Sequence, residues 1–76
     1  MSVAPEILLS AYRHGITRNS ILHAYRNPIS VYFMDEGVVM LVGADVSGLL
    51  LEIGIRSHNR SPVIVHAMKA RRKFLW

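Results

Sequence analysis

The fold is decided by the stretch from residue 38 to residue 56, whose sequence is VVMLVGADVSGLLLEIGIR. It holds two apolar runs, 38–45 and 49–56, separated by the turn-forming residues Val46-Ser47-Gly48. Apolar runs of this length that are bounded by glycine and serine predict β-strands rather than helices. Because the connection between them is too short for a parallel crossover, the two strands are expected to pair antiparallel.

One more strand is predicted on each side of this pair. Residues 29–34 have the period of two that is typical of a strand. A last strand is predicted at 63–68, after a polar loop at 57–62. Strict alternation in this last strand places Ile64 and His66 on the same face.

The residues before the strands predict two short helices. The first is expected over residues 4–14 and ends at Gly15, because apolar residues share one helix face at Ile7, Leu8, Ala11 and Tyr12. The second begins after Thr17, a good N-cap residue, and ends before Asn27-Pro28.

Together these elements predict an α+β fold. Two short N-terminal helices pack on one face of a four-stranded antiparallel sheet, and a short C-terminal tail or helix follows. We expect a single domain over residues 1–76, because a typical domain has ~150 residues and this chain is half as long.

The composition excludes several classes of protein. With no cysteine, the chain has no disulfide framework and no thiolate metal site. No apolar run approaches the ~20 residues that span a bilayer, and no signal peptide is recognisable, so we expect a cytoplasmic protein without membrane contact. Hydrophobic residues make up 51% of the chain, more than so small a core hides, which predicts a homo- or hetero-oligomer.

The charge is divided unevenly along the chain. Residues 1–26, 27–55 and 56–76 carry net charges of +2, −4 and +6, which together give the overall +4. A basic end beside an acidic, apolar middle indicates a local anion site, and phosphate is the commonest anion for such a site. A solvated basic surface explains the same charges equally well.

Glycine and histidine spacing exclude the familiar cofactor and metal motifs. No glycine pattern fits a phosphate-binding loop, and no histidine pair has the helical spacing of a zinc protease. We therefore expect no cofactor and no metal, with a metal site assembled from distant segments as the alternative.

The remaining candidate is a metal-independent site for cleaving RNA. Such cleavage needs a base for the 2′-hydroxyl, an acid for the leaving oxygen and a cation for the phosphorane. We predict His66, Lys69 and Arg56 as the catalytic residues, with His66 as acid or base, in a cluster that faces Glu52. The predicted RNA-binding residues are Arg60, Arg71, Arg72, Lys73 and Trp76. The alternatives are a hydrogen-bonded strand histidine, a solvated basic end and a tryptophan that closes the core.

The order of short motifs also carries a family resemblance. The motifs are Tyr12-Arg13-His14-Gly15-Ile16-Thr17, Arg26-Asn27-Pro28, Leu41-Val42-Gly43, Gly48-Leu49-Leu50 and Val65-His66-Ala67-Met68-Lys69-Ala70-Arg71-Arg72. Over residues 12–73 this order resembles the BrnT family of bacterial toxins. The resemblance implies a RelE-like fold, a ribonuclease that inhibits translation and a cognate antitoxin.

Some individual positions agree with the family's motif and others differ from it. Lys69, Ala67 and Ala70 match its terminal motif, whereas Met68 stands where the family usually has arginine and His66 where it usually has serine. Either His66 takes over the acid–base role, or this branch has lost nuclease activity.

Two functions from different classes follow. The first is a toxin of a type II toxin-antitoxin system that cleaves mRNA, free or on the ribosome, and is bound by its antitoxin. The alternative is a non-enzymatic interaction module of the same fold that binds a partner protein. A further alternative is non-catalytic binding of RNA or DNA by the basic tail, which would be salt-sensitive and independent of sequence.

Overall fold

The structure of the protein is a computed structural model that describes residues 4–75. Within those residues it contains one α-helix, α1 (Arg18–Arg26), and five strands: β1 (Glu6–Ile7), β2 (Pro28–Phe33), β3 (Val39–Ala44), β4 (Leu50–His58) and β5 (Ser61–Lys69). Short 3-10 turns lie at Leu9–Tyr12, Asp35–Gly37 and Arg72–Phe74. The strands form one sheet in the order β1-β5-β4-β3-β2, in which only β1 and β5 are parallel among these residues.

The first predicted helix, at residues 4–14, does not form. Strand β1 pairs with residues 63–64 of β5 instead, and the Leu8 amide donates to the Ile64 carbonyl at 2.9 Å. The edge of β5 offers this segment backbone hydrogen bonds, and tertiary pairing outweighs a weak local helix preference. The prediction of two helices on a four-stranded antiparallel sheet in a compact RelE-like fold is therefore wrong: the sheet is five-stranded and mixed, with a single α-helix in the described chain.

The second predicted helix is confirmed as α1. Its N-cap is Thr17, whose Oγ1 accepts a hydrogen bond from the Ser20 amide at 3.2 Å. At the other end, Asn27 Nδ2 donates to the His23 carbonyl at 2.8 Å before Pro28 begins β2. Helix α1 has nine residues, and across residues 4–75 no helix is long and apolar enough to cross a membrane.

A β-bulge in β5 changes which side chains reach the core. Gly54 pairs with His66 and the next residue, Ile55, pairs with Ile64, so Val65 has no partner in β4. Ile64 is fully buried on the side of α1, whereas His66 lies on the opposite face. The strict alternation that places Ile64 and His66 on the same face is therefore wrong.

The connection between β4 and β5 is shorter than expected. The polar loop predicted at 57–62 is a two-residue turn at Asn59 and Arg60, with φ angles of 49° and 66°. Two consecutive left-handed residues are typical of the tight turns whose twist matches a hairpin.

The helix-side core lies between α1 and the middle of the sheet. Its buried members are Ala11, Ile21, Ala24, Leu41, Leu51, Ile53, Ile64 and Ala67. Gly43 of β3 allows the close approach of α1, because a Cβ there would lie 2.0 Å from the carbonyl oxygen of Ala24.

The opposite side of the sheet, called the back face here, has a smaller core formed by Met40, Val42 and Phe74. Phe74 reaches it because the chain after β5 folds across the back face, where the Ala70 amide donates to the Leu50 carbonyl at 2.9 Å. The Tyr32 hydroxyl donates to the Phe74 carbonyl at 2.9 Å. The chain after β5 is thereby fixed against β2, β3 and β4.

Candidate functional site

A buried carboxylate lies at the centre of the back face. Glu52 is the third residue of β4, is 0% exposed, and is the one buried charged residue among those that the structure describes. The neighbouring positions of β4, Leu51 and Ile53, belong to the helix-side core, so alternation directs Glu52 to the back face. A charge at such a place is stable only if it is paired and hydrogen-bonded.

Arg71 supplies most of that pairing. Its backbone amide donates to Oε1 of Glu52 at 2.9 Å, and its Nε and Nη2 donate to the carboxylate at 3.0 and 2.8 Å. The side-by-side geometry is the strongest arrangement for an arginine and a carboxylate. Arg71 thus fixes the start of the C-terminal segment over β4, and its own side chain is 47% exposed.

His66 completes the set of donors to Glu52. Its Nε2 lies 2.9 Å from Oε2 of the carboxylate. An ionised carboxylate only accepts hydrogen bonds, so Nε2 carries the proton in this contact. The other ring nitrogen, Nδ1, then has a free lone pair in the neutral ring, as in histidines that a carboxylate orients for catalysis.

The Nδ1 atom of His66 reaches solvent. The His66 side chain is 28% exposed. Among the described residues Nδ1 makes no hydrogen bond, and no buried side-chain nitrogen or oxygen there lacks a partner. Nδ1 is therefore open to a molecule that approaches the back face.

The ionisation of Glu52 follows from this geometry. Burial raises its pKa, but the hydrogen bonds from the Arg71 side chain, the Arg71 amide and His66 outweigh burial, so the pKa lies below its ordinary value of 4.5. The hydrogen bonds to Glu52 in turn raise the pKa of Arg71. The carboxylate is consequently charged at neutral pH and holds the His66 ring in one orientation.

Gly54 determines where the His66 ring lies. The two residues are opposite each other on β4 and β5, and a Cβ on Gly54 would lie 2.9 Å from the Cβ of His66. The ring crosses over this glycine, which lets Nε2 reach Glu52 on the same strand as Gly54. A larger residue at position 54 displaces the imidazole from the carboxylate.

A second imidazole lies against the first. The ring centroids of His14 and His66 are 5.7 Å apart, with an angle of 77° between the ring planes. His14 reaches this position because β1 covers only the start of β5, after which Ser10 Oγ donates to the Val65 carbonyl at 2.7 Å. His14 is exposed, so two titratable rings meet at one surface.

Arg56 lies on the same face as His66. Gly54 is opposite His66, and Glu52 and Arg56 are two positions before and after it on β4. Diagonal neighbours of this kind have Cα atoms about 7–8 Å apart. Arg56 also lines an open groove of about 430 Å³ with Glu6, Leu8, Ser57, His58, Val63 and Val65.

The other predicted residues lie elsewhere. Lys69 is opposite Leu51 of the helix-side core, so it lies on the opposite face from His66. Arg60 is in the hairpin turn, six residues from His66 and thus ~20 Å along an extended strand. Arg72 and Lys73 are exposed in the C-terminal segment, where Lys73 Nζ lies 5.1 Å from the centre of the Phe74 ring. Trp76 lies outside the described residues.

Two residues of this cluster have functions that sequence reasoning did not assign. Glu52 orients His66 and holds Arg71, and its only sequence signal is an acidic residue within the apolar run 49–56. His14 is in the sequence motif ending the first predicted helix, but no local spacing connects it to His66. Between residues 4 and 75, no three histidine or acidic side chains are grouped so as to hold a metal ion.

Comparisons with known proteins add no relative. No family model, no curated protein and no solved structure matches the chain.

Proposed function

We propose that the protein is an RNA-cleaving toxin that inhibits translation and whose activity a cognate antitoxin controls. The observation that carries the proposal is the pair of adjacent imidazoles, His14 and His66, of which the second is oriented by Glu52. Two imidazoles supply both an acid and a base near neutral pH, which is what cleavage at a 2′-hydroxyl needs. The resemblance of the motif order to BrnT toxins supports the same function.

In the proposed reaction, Nδ1 of His66 takes the proton of the 2′-hydroxyl while the 2′-oxygen attacks the adjacent phosphorus. His14 gives its proton to the 5′-oxygen as the phosphorus–oxygen bond to it breaks. The products are a 2′,3′-cyclic phosphate and a free 5′-hydroxyl. Glu52 balances the charge that His66 gains, because its carboxylate accepts from Nε2 at 2.9 Å.

The guanidinium of Arg56 supplies positive charge for the phosphorane on the same face. Arg72 and Lys73 are exposed beside this face and bind the RNA backbone. Arg71 is committed to Glu52 and acts as a positioning residue. Lys69, on the opposite face, then contributes to RNA affinity instead of to the chemical step.

The second candidate is the interaction module, in which the Glu52 cluster only stabilises the fold. It is favoured by the fact that Arg71 bonds both carboxylate oxygens, which is the arrangement of a structural ion pair. Under this alternative the purified chain does not cleave RNA and binds a protein partner.

The test is cleavage of a labelled single-stranded RNA by the purified chain in the presence of a chelator. We expect products with cyclic phosphate ends and no cleavage of the 2′-O-methyl RNA. His66→Ala and His14→Ala each lower the rate by ~100-fold or more, the usual contribution of an acid or base. His58→Ala is the matched control, since this exposed histidine is in the groove beside Arg56 and not at the imidazole pair.

A rate in His66→Ala equal to that of the wild type refutes the assignment of His66. Absence of cleavage by a folded wild-type chain, with no growth arrest on induction in a bacterial host, favours the interaction module. Growth arrest that His14→Ala and His66→Ala both relieve, while Lys69→Ala relieves it only in part, agrees with the proposed functions of these residues.

A further inference from the structure

Strand β2 forms one edge of the sheet but has the apolar composition of a strand that another strand covers. Its sequence, PISVYF, contains no charged residue. Ile29, Val31 and Phe33 are 64%, 48% and 86% exposed. Sheet edges that remain free in solution are blunted by charged side chains, prolines or bulges, and β2 has a proline and a bulge only at its start, between Pro28 and Ser30. From Ser30 to Phe33 the edge has none of these devices and is a template for another strand. Along residues 4–75 the outer side of β2 pairs with no strand.

The residues of β2 whose backbone groups point away from β3 are also its exposed apolar residues. The Met34 amide donates to the Val38 carbonyl at 2.8 Å, which makes this the hydrogen-bonded pair at the end of the β2–β3 ladder. Because such pairs alternate in an antiparallel ladder, Tyr32 directs its backbone groups to β3, whereas Val31 and Phe33 direct theirs outward. The residues with free backbone groups are thus the exposed apolar ones.

Helix α1 leaves this side of the sheet open. The helix packs on β3 and β4, and Val31 and Phe33 pair with Leu41 and Val39 on the same face as the helix. Their side chains therefore form an apolar strip beside the helix that no described residue covers, since both are exposed. A partner strand at the edge continues this strip.

The strand is complementary to itself in one antiparallel register. When Val31 is opposite Val31 of a second copy, Phe33 is opposite Ile29, which lies at the bulge between Pro28 and Ser30, and Tyr32 is opposite Ser30. The apolar residues that meet are therefore Val31, Phe33 and Ile29. Arg26, the last residue of α1, and Glu36, in the 3-10 turn after β2, lie five residues before and after Val31, so the same register brings Arg26 of one copy and Glu36 of the other to the same end of the strand pair. The ion pairs in residues 4–75 all involve Glu52, so Arg26 and Glu36 have no charged partner there.

We propose that the chain forms a two-fold symmetric dimer in which the β2 strands of two copies pair antiparallel about Val31. The dimer joins two five-stranded sheets into one continuous sheet. It covers the exposed apolar side chains and satisfies the outward backbone groups of Val31 and Phe33. Arg26 of each copy meets Glu36 of the other. This proposal does not depend on the proposed ribonuclease function, whose residues lie on β4, on β5, in the segment before α1 and in the chain after β5.

The mass of the chain in solution tests the dimer. Sedimentation or light scattering is expected to give twice the chain mass of 8.6 kDa for the wild type. Val31→Lys places two like charges at the two-fold axis and gives a monomer with unchanged circular dichroism. Val46→Lys is the matched control, because this valine is 77% exposed in the turn before β4, away from the edge, and the variant stays a dimer.

A charge exchange tests the register. Arg26→Glu places two acidic side chains at each end and shifts the equilibrium toward monomer. Adding Glu36→Arg in the same chain restores opposite charges across the axis and restores the dimer. Hydrogen exchange at the Phe33 amide is slow in the dimer and fast in Val31→Lys.

Three results would overturn the proposal: a folded wild-type monomer at the highest soluble concentration, a dimer that survives Val31→Lys, or a double exchange no better than Arg26→Glu alone. The last result rejects the register, and the first two reject the edge as the interface.

Discussion

Replacing Glu52 with glutamine is the most informative single perturbation of this molecule. The amide has nearly the shape of the carboxylate but only one acceptor oxygen. If this oxygen keeps its hydrogen bond from the Arg71 amide, the new NH₂ group takes the place of Oε2. It then faces the Nε2–H of His66 and the Nη2–H of Arg71, whose nitrogens lie 2.9 and 2.8 Å from Oε2 in the native protein. Two charge-assisted hydrogen bonds are lost, and the N–H groups of His66 and Arg71 then face the NH₂ group of glutamine, which is itself a donor.

The magnitude follows from the burial of each group. Each lost bond to a charged group is worth about 1.5–3 kcal/mol. The loss is offset in part because glutamine avoids burying a charge, and because the donors of Arg71 and His66, 47% and 28% exposed, turn to water. We expect a net loss of about 2–3 kcal/mol, a large share of the ~4–11 kcal/mol typical of a chain of this length.

Urea unfolding followed by circular dichroism measures this loss, and thermal unfolding shows it as a decrease in Tm of about 10–20 °C. Glu6→Gln is the control, because Glu6 is exposed and its replacement changes stability by less than about 0.5 kcal/mol. Adding Arg71→Met removes the opposed side-chain donors of Arg71 and leaves that of His66. The double variant therefore loses about 1–2 kcal/mol less stability than the sum of the losses in the two single variants. A loss in Glu52→Gln no larger than in Glu6→Gln refutes the buried, charged state of Glu52.

The same substitution changes the response to acid. The pKa of Glu52 is lower in the folded than in the unfolded chain, so the unfolded chain binds the additional proton as the pH decreases below 4.5. The contribution of Glu52 to stability is therefore complete above the unfolded pKa and is lost as the pH falls through the folded pKa. In that range the free energy of unfolding of Glu52→Gln depends less on pH than that of the wild type.

Three further substitutions test the fold. Gly43→Ala places a Cβ 2.0 Å from the Ala24 carbonyl, and we expect urea unfolding to show a loss of about 3 kcal/mol or more, unlike any exposed alanine substitution. Thr17→Ala removes the cap of α1 and costs about 1 kcal/mol, with Thr17→Ser close to wild type. Arg60→Gly removes the strain of a non-glycine residue in the left-handed region, at φ 66°, and we expect it to raise stability by about 1 kcal/mol. A loss of stability in this variant contradicts the two-residue turn.

Local signals were enough to predict α1 and four of the strands. Thr17 and Pro28 mark the ends of the helix by interactions that span only a few residues. A period of two or an apolar run bounded by turn residues marks each of these strands. The helix expected at residues 4–14 failed because a non-local factor, the free edge of β5, decided its structure. No local rule in the sequence shows that Val65 is a bulge, so the facing of Ile64 was not predictable.

Several residues of the site were predictable from the sequence, but their arrangement around Glu52 was not. His66, Arg56 and Arg71 were chosen for their chemistry, and the structure places all three beside Glu52 or on its face. Lys69 is predicted beside His66 because both lie in one eight-residue stretch rich in basic residues, but an odd separation in a regular strand puts side chains on opposite faces. The contact of His14 with His66 joins segments far apart in the chain, and only tertiary structure reveals it.

The bond between Arg71 and Glu52 also sets an order for folding during synthesis. Glu52 is made 19 residues before Arg71, and the β1 edge strand long before its partner β5. Until residue 71 has been made, a carboxylate without its main counter-ion lies in the middle of the newly formed hairpin, which disfavours closure of the back face. The back face is therefore expected to close only after the segment that follows β5 has been made, and until then the nascent chain stays accessible to chaperones or to a binding partner.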